Sequence, residues 1–268
     1  MLIFILQFKR ETKRNNMTVV KLTKRERRLA RRQTGSVVEA YQQTPKNVLG
    51  GIQLTHFAPL TKNQTRAVDM WEDGLNLTLH GVAGTGKTYL GLALGLQTVF
   101  ESGGDMKLII CRSIVPTRDI GFLPGTEKEK IAVYESAYRD SFAKLTTRND
   151  GYDYLKRAGV VDFIPTSFIR GKTLDNCVIV VDEINNLTFH ELDSVITRLG
   201  ENSRIIFSGD FRQSDLKGER DRGGLKTFMQ ILQRMPEFGM VEFEIGDIVR
   251  GPIVKSYIIA KTVMGIQA

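Results

Sequence analysis

The stretch Gly81-Val82-Ala83-Gly84-Thr85-Gly86-Lys87-Thr88 follows one apolar run, Leu75-Asn76-Leu77-Thr78-Leu79, and precedes another, Leu90-Gly91-Leu92-Ala93-Leu94. Glycines at this spacing let the backbone curl so that successive N–H groups face a phosphate. The lysine then reaches the terminal phosphates, and the hydroxyl after it ligates Mg2+. Such a loop works between a strand that delivers it and a helix whose positive end meets the anion. Both flanks are legible here, which speaks against a glycine-rich turn with no ligand. The spacing predicts strand, phosphate loop and helix, hence an α/β architecture, with Gly81 to Thr88 and the following Tyr89 as nucleotide contacts.

A second signal lies further on. Cys177-Val178-Ile179-Val180-Val181 is a run of apolar β-formers that delivers two carboxylates, Asp182 and Glu183, at a strand end. This is the Walker B arrangement. Asp182 is expected to hold Mg2+ opposite Thr88, and Glu183 to orient and polarise an attacking water. The next strand, Arg204 to Ser208, runs into Gly209-Asp210 with Gln213 beyond it. Gln213 is the candidate sensor of the terminal phosphate, with Asp210 supporting its loop.

The remaining periodicity predicts a helix from Lys62 to Glu72 capped by Thr61 and a buried strand over Lys107–Cys111. Helices follow over 127–142 and Tyr152–Ala158, then a strand over 160–164 and a helix over 189–199 closed by Gly200. Lys217 to Gly224 reads as a mobile charged loop, followed by a helix from Leu225 to Arg234, a strand near Met240–Glu244 and a last helix from Ile253. Residues 61–268 are thus expected to form one α/β domain with a mainly parallel sheet flanked by helices, and residues 1–60 a basic arm and linker.

Charge is concentrated in that arm. The chain carries +8 overall, yet residues 1–50 hold twelve Lys/Arg against three Asp/Glu, and the rest hold 26 against 27. Attraction to a polyanion therefore comes from the arm, above all Lys21 to Arg32, or from a local patch on a near-neutral body. Met1 to Leu6 is apolar but too short to span a bilayer, and it precedes the basic residues that a signal peptide would follow. No membrane association is expected. Met17 offers a second start. Cys111 and Cys177 both sit in apolar strand-like runs and read as reduced core residues of a cytoplasmic protein.

Other residues are candidates by position. Gln64 lies 17 residues ahead of Gly81 and resembles the glutamine motif of ATP-driven helicases, in which an amide pairs with N6 and N7 of adenine. Arg112 closes a strand at the edge where α/β sheets bind ligands. Phe122 stands in the glycine- and proline-punctuated Ile120-Gly121-Phe122-Leu123-Pro124-Gly125. Arg170 and Lys172 flank Gly171. Arg112, Phe122, Arg170 and Lys172 are the candidate nucleic-acid contacts, with an ordinary packed loop or basic turn as the alternative at Phe122 and at Arg170–Lys172.

With both phosphate motifs placed, the chain resembles the PhoH-like family, named for induction by phosphate starvation, from about residue 59 to about residue 262. The likeness rests on the phosphate loop, Gly121 to Gly125, Arg170-Gly171-Lys172-Thr173-Leu174, Asp182-Glu183 with Asn186, and Thr197-Arg198-Leu199-Gly200. It also includes Gly209-Asp210 with Gln213 and Asp215-Leu216, and Asp247-Ile248-Val249-Arg250. The family implies a RecA-like ATPase domain related to the core of superfamily 1 helicases, associated with RNA and in some members assembled as a ring. It implies ATP and Mg2+ as cofactors, single-stranded RNA or DNA as partner, and the cytoplasm of a bacterial or phage-infected cell. Where the family usually has Asp-Glu-Ala-Gln-Asn, this chain has Asp182-Glu183-Ile184-Asn185-Asn186, and Gly251 replaces a usual histidine. An ATPase of this kind also wants an arginine at the transition state; Arg250 and then Arg198 are the candidates, supplied from a neighbouring copy. The expected activity is Mg-dependent ATP hydrolysis coupled to RNA. A nucleotide-gated binding protein and a small-molecule P-loop kinase are the alternatives, and Glu183 favours hydrolysis over the kinase.

Overall fold

Every residue of Cys177–Val181 is buried, which is what a parallel strand covered on both faces requires. A computed structural model describes residues 48–49, 51–114, 127–210 and 219–264; Phe122 and Gln213 lie outside the described residues. The elements run β1 (Val48–Leu49), β2 (Ile52–Gln53), α1 (Lys62–Glu72), β3 (Asn76–Gly81), α2 (Lys87–Glu101), β4 (Lys107–Arg112), α3 (Glu127–Leu145) and α4 (Gly151–Arg157). They continue as β5 (Val161–Pro165), β6 (Cys177–Val181), α5 (Phe189–Ile196), β7 (Arg204–Gly209), α6 (Glu219–Leu232), β8 (Phe238–Phe243) and α7 (Pro252–Val263).

Strands β3 to β8 form one sheet in the order β5-β4-β6-β7-β3-β8, and each neighbouring pair is parallel. Alternation along the strands splits the core between two faces. Ile109, Cys111, Ile179, Val181, Ile205 and Phe207 face α5 and α6, where Leu192, Val195, Phe228 and Leu232 complete a buried cluster. On the other face α2 lies close to the sheet, because a Cβ at Gly95 would stand 2.7 Å from the Leu108 side chain. That approach explains a glycine in a helix interior, where it is otherwise unfavourable.

The packed body extends ahead of Thr61. β1 and β2 pair antiparallel, Ile52 is fully buried, and the Thr55 and Thr147 amides donate to the carbonyls of Leu145 and Gln53, each at 2.9 Å. Two expected boundaries move. From Glu219 onward the stretch read as a mobile loop is helical, and a Cβ at Gly224 would meet that of Phe189 at 2.9 Å. Close packing of α6 on α5 thus overrides the poor helix propensity of Gly223-Gly224. Helix α5 ends at Ile196, short of Leu199, because Leu199 bridges to Leu174 and Gly200 donates to the Leu174 carbonyl at 2.9 Å. Cys111 and Cys177 are buried and free, on the adjacent strands β4 and β6; burial pushes the Cys111 thiol up to about 12.

Candidate nucleotide site

Because the sheet is parallel, its carboxyl-terminal edge collects the residues that follow β3, β4, β6 and β7. These are the phosphate loop, the edge beyond Arg112, Asp182-Glu183 and Asp210. β7 lies between β3 and β6, so Asp210 sits between the loop and the paired carboxylates.

The loop is held from three sides. The Val82 amide donates to the Phe243 carbonyl at the end of β8 (2.9 Å), and the Val249 amide donates to the Gly84 carbonyl (3.1 Å). Within the loop Thr85 Oγ1 donates to the Val82 carbonyl at 3.0 Å. Gly81, Gly84 and Gly86 all have left-handed φ, so amides can turn inward where an ordinary residue would be strained. Gly86 caps α2 without a side-chain hydrogen bond, leaving the first amides of α2 without a side-chain cap, as an anion site requires. Lys87 Nζ donates to the Gly81 and Val82 carbonyls at 2.9 and 2.8 Å. Burial lowers its pKa, while the negative charges of Asp210, Glu183 and Asp182 act to raise it.

Thr88 Oγ1 donates to Asp182 Oδ1 at 2.7 Å. Two hard oxygen donors already adjacent, on opposite sides of the cleft, suit a Mg2+ ion that keeps most of its water. Glu183 is half-buried and takes left-handed backbone angles, φ 53° and ψ 46°. A non-glycine residue there costs about 1–3 kcal/mol and such strain clusters at functional sites. Burial raises the Glu183 pKa and Asp182 raises it further; Arg112, a hydrogen bond with Asn185, and Lys87 pull the other way. Asn185 is buried and its Oδ1 also accepts the Asp210 amide at 3.2 Å. The shortened amide thus ties the general-base candidate to the end of β7.

The other candidates fall in different places. The Gln64 amide is engaged with the protein: Oε1 accepts from the Leu60 amide at 2.7 Å and Nε2 donates to the Thr85 carbonyl at 3.0 Å. It braces the phosphate loop in this arrangement, with one N–H and one oxygen lone pair left over. Tyr89, half-buried in the first turn of α2, meets Phe57 with ring centroids 6.0 Å apart. The Arg112 guanidinium stands over the Tyr134 ring at 5.6 Å, and the negative charges of Asp182 and Glu183 raise its pKa against burial. Arg250 lies beside the loop of its own chain, since a Cβ at Gly84 would stand 3.0 Å from Arg250 Cγ. Arg198 precedes β7 beside Leu174, at the opposite edge of the sheet. Arg170 and Lys172 are exposed on the connection from β5 to β6. Sequence reasoning missed Tyr138, whose signal was its spacing from Tyr134, four residues apart on one helix face.

A parallel α/β sheet with a phosphate loop after one strand and a metal-side carboxylate pair after another, two places along, defines a RecA-like P-loop NTPase. The family model described as PhoH-like protein matches residues 56–261, and the chain belongs to that family. A PhoH-like protein of Mycobacterium bovis is 34% identical over 201 residues, 75% of this chain and 56% of the relative. One from Bacillus subtilis is 34% identical over 180 residues, 66% and 55%. The chain thus spans about half the length of these curated relatives. Among solved structures, the large terminase of a thermophilic bacteriophage is 12% identical with a TM-score of 0.48, covering 75% of this chain and 50% of that one. The Pif1 helicase of Candida albicans is 14% identical with a TM-score of 0.33, covering 70% and 40%. Among the described residues no helix is long and apolar enough to cross a membrane.

Proposed function

We propose that this chain binds ATP with Mg2+, hydrolyses it, and uses the cycle to bind or remodel single-stranded RNA or DNA. The observation that carries the reading is the meeting of Thr88, Asp182, Glu183 and Lys87 at one sheet edge. The loop amides and Lys87 hold the phosphates, and Thr88 with Asp182 hold the metal. Mg2+, when bound, neutralises charge on the phosphate oxygens. Glu183 accepts a hydrogen bond from the attacking water and orients it. The water oxygen bonds to the γ-phosphorus, the bond to the β–γ bridging oxygen breaks, and ADP leaves with that electron pair. Arg250, beside Gly84, serves as the transition-state arginine, and Gln213 as the sensor after β7.

Nucleic acid is assigned to the β5–β6 connection, where Phe168 is 41% exposed ahead of the exposed cations Arg170 and Lys172. An aromatic face with cations on one turn suits a base and its backbone phosphates. Phe122 and the basic arm are further candidate contacts by their chemistry alone. Ile253 and Tyr257, exposed on α7 beside the phosphate loop, support self-association, in which a ring is one form. The bacterial relatives and the reduced, buried cysteines support a cytoplasmic setting.

The test is ATP hydrolysis with and without single-stranded RNA or DNA, with K87A and E183Q as controls. Stimulation by the polymer, lost in both variants, is expected. Turnover that neither substitution reduces would sink the assignment.

A further inference from the structure

We propose that Tyr138 is a positioning residue for Asp182, the carboxylate on the metal side of the site; the inference rests on the Mg–ATP reading above. Tyr138 is 1% exposed on the inner face of α3, its ring 6.0 Å from that of Phe163 on β5. Its hydroxyl donates to Asp182 Oδ2 at 3.0 Å, while Thr88 Oγ1 donates to Oδ1 at 2.7 Å. Each carboxylate oxygen is therefore held by a donor from a different element. With Thr88 alone the terminal torsion of an aspartate is broad and poorly defined; with both donors the carboxylate plane is set before any metal arrives.

The chemistry of the pair fixes the direction of this bond. An ionised carboxylate can only accept, so the single hydrogen of the phenol points to Asp182. A buried hydroxyl left without this partner would cost free energy.

The test compares wild type, Y138F and F163L. The affinity of a non-hydrolysable ATP analogue is measured by calorimetry across a Mg2+ titration and again in excess chelator, with a melting curve for each protein. Y138F keeps the ring and removes only the hydroxyl. It is expected to need roughly tenfold more Mg2+ for half-maximal enhancement of binding, the lower end for loss of an outer-shell partner, with chelator-state affinity unchanged. F163L disturbs ring packing without touching Asp182, and is expected to lower the melting temperature with the Mg2+ midpoint in place. An unshifted midpoint in Y138F, or an equal shift in F163L, would overturn the positioning role while leaving the Mg–ATP reading intact. Wild-type binding indifferent to Mg2+ would overturn both.

Discussion

Gly81 is the point at which the backbone of β3 gives way to the phosphate loop, and its surroundings allow no side chain. Its φ is +115°, and a Cβ would lie 2.2 Å from the Phe243 carbonyl oxygen, the group that accepts the Val82 amide. Alanine here must both enter a region that L-residues avoid and push β8 away from the loop. G81A is expected to lower stability by roughly 3 kcal/mol or more, combining backbone strain with overpacking. Urea unfolding would read this as a lower midpoint at unchanged slope, and a midpoint equal to wild type would contradict the geometry. Glu183 shows the complementary case, a non-glycine residue kept at φ 53°, and Asn185 Oδ1, two residues on, accepts the Asp210 amide at the end of β7.

At the scale of elements, a short segment after β8 organises two others. Asp247 Oδ2 accepts from Asn63 Nδ2 at 2.7 Å and from the Glu244 amide at 2.9 Å, so the entrance to α1 and the chain after β8 share one carboxylate. Two residues on, Val249 braces the phosphate loop. Burial would raise the Asp247 pKa, but hydrogen bonds from Thr61, Asn63 and the backbone outweigh it and the pKa is lowered. The native state therefore holds this proton less tightly than the unfolded chain, whose aspartates titrate near ~3.9. The stabilisation is present above that value and is lost as pH falls through the lower, folded one. D247N is expected to lose about 1.5–3 kcal/mol at neutral pH, the scale of hydrogen bonds to a charged group. The gap from wild type should narrow as pH drops from 6 through about 3.5 and below. Urea midpoints across that range check it; a gap independent of pH would assign the loss to packing instead of charge.

The whole molecule separates the two candidates for a transition-state arginine. Read along the chain, Arg250 ranks ahead of Arg198, and both are expected from a neighbouring copy. Folding separates them. The tie from Val249 to Gly84 brings Arg250 to its own loop, while Arg198 is carried to the far edge of the sheet, where only another copy's nucleotide could meet it. R250A is expected to reduce hydrolysis about 10³-fold, at the lower end of what such arginines supply. Turnover per wild-type chain should hold constant on dilution. Specific activity that climbs with protein concentration would place the arginine in a partner and bring Arg198 forward.

The phosphate loop, the two carboxylates and the parallel strands were legible in the residues themselves. Each depends on short-range chemistry: glycine spacing, runs of β-branched residues, acidic residues at a strand end. The buried fate of Cys111 and Cys177 followed from the same apolar runs. What the sequence could not carry was side-chain direction across distant elements. Arg112 reads as a cation at a ligand-binding edge, and only the fold sets it over the ring of Tyr134 on α3. Gln64 reads as a base contact, and the fold adds two partners for its amide, the Leu60 N–H and the Thr85 carbonyl. Gly223-Gly224 reads as a loop, yet Phe189 packs it into a helix. Local composition determined which groups were available for phosphate chemistry; only the tertiary structure decided their partners, because a hydrogen bond or a packing contact is set by distances that the order of residues does not contain.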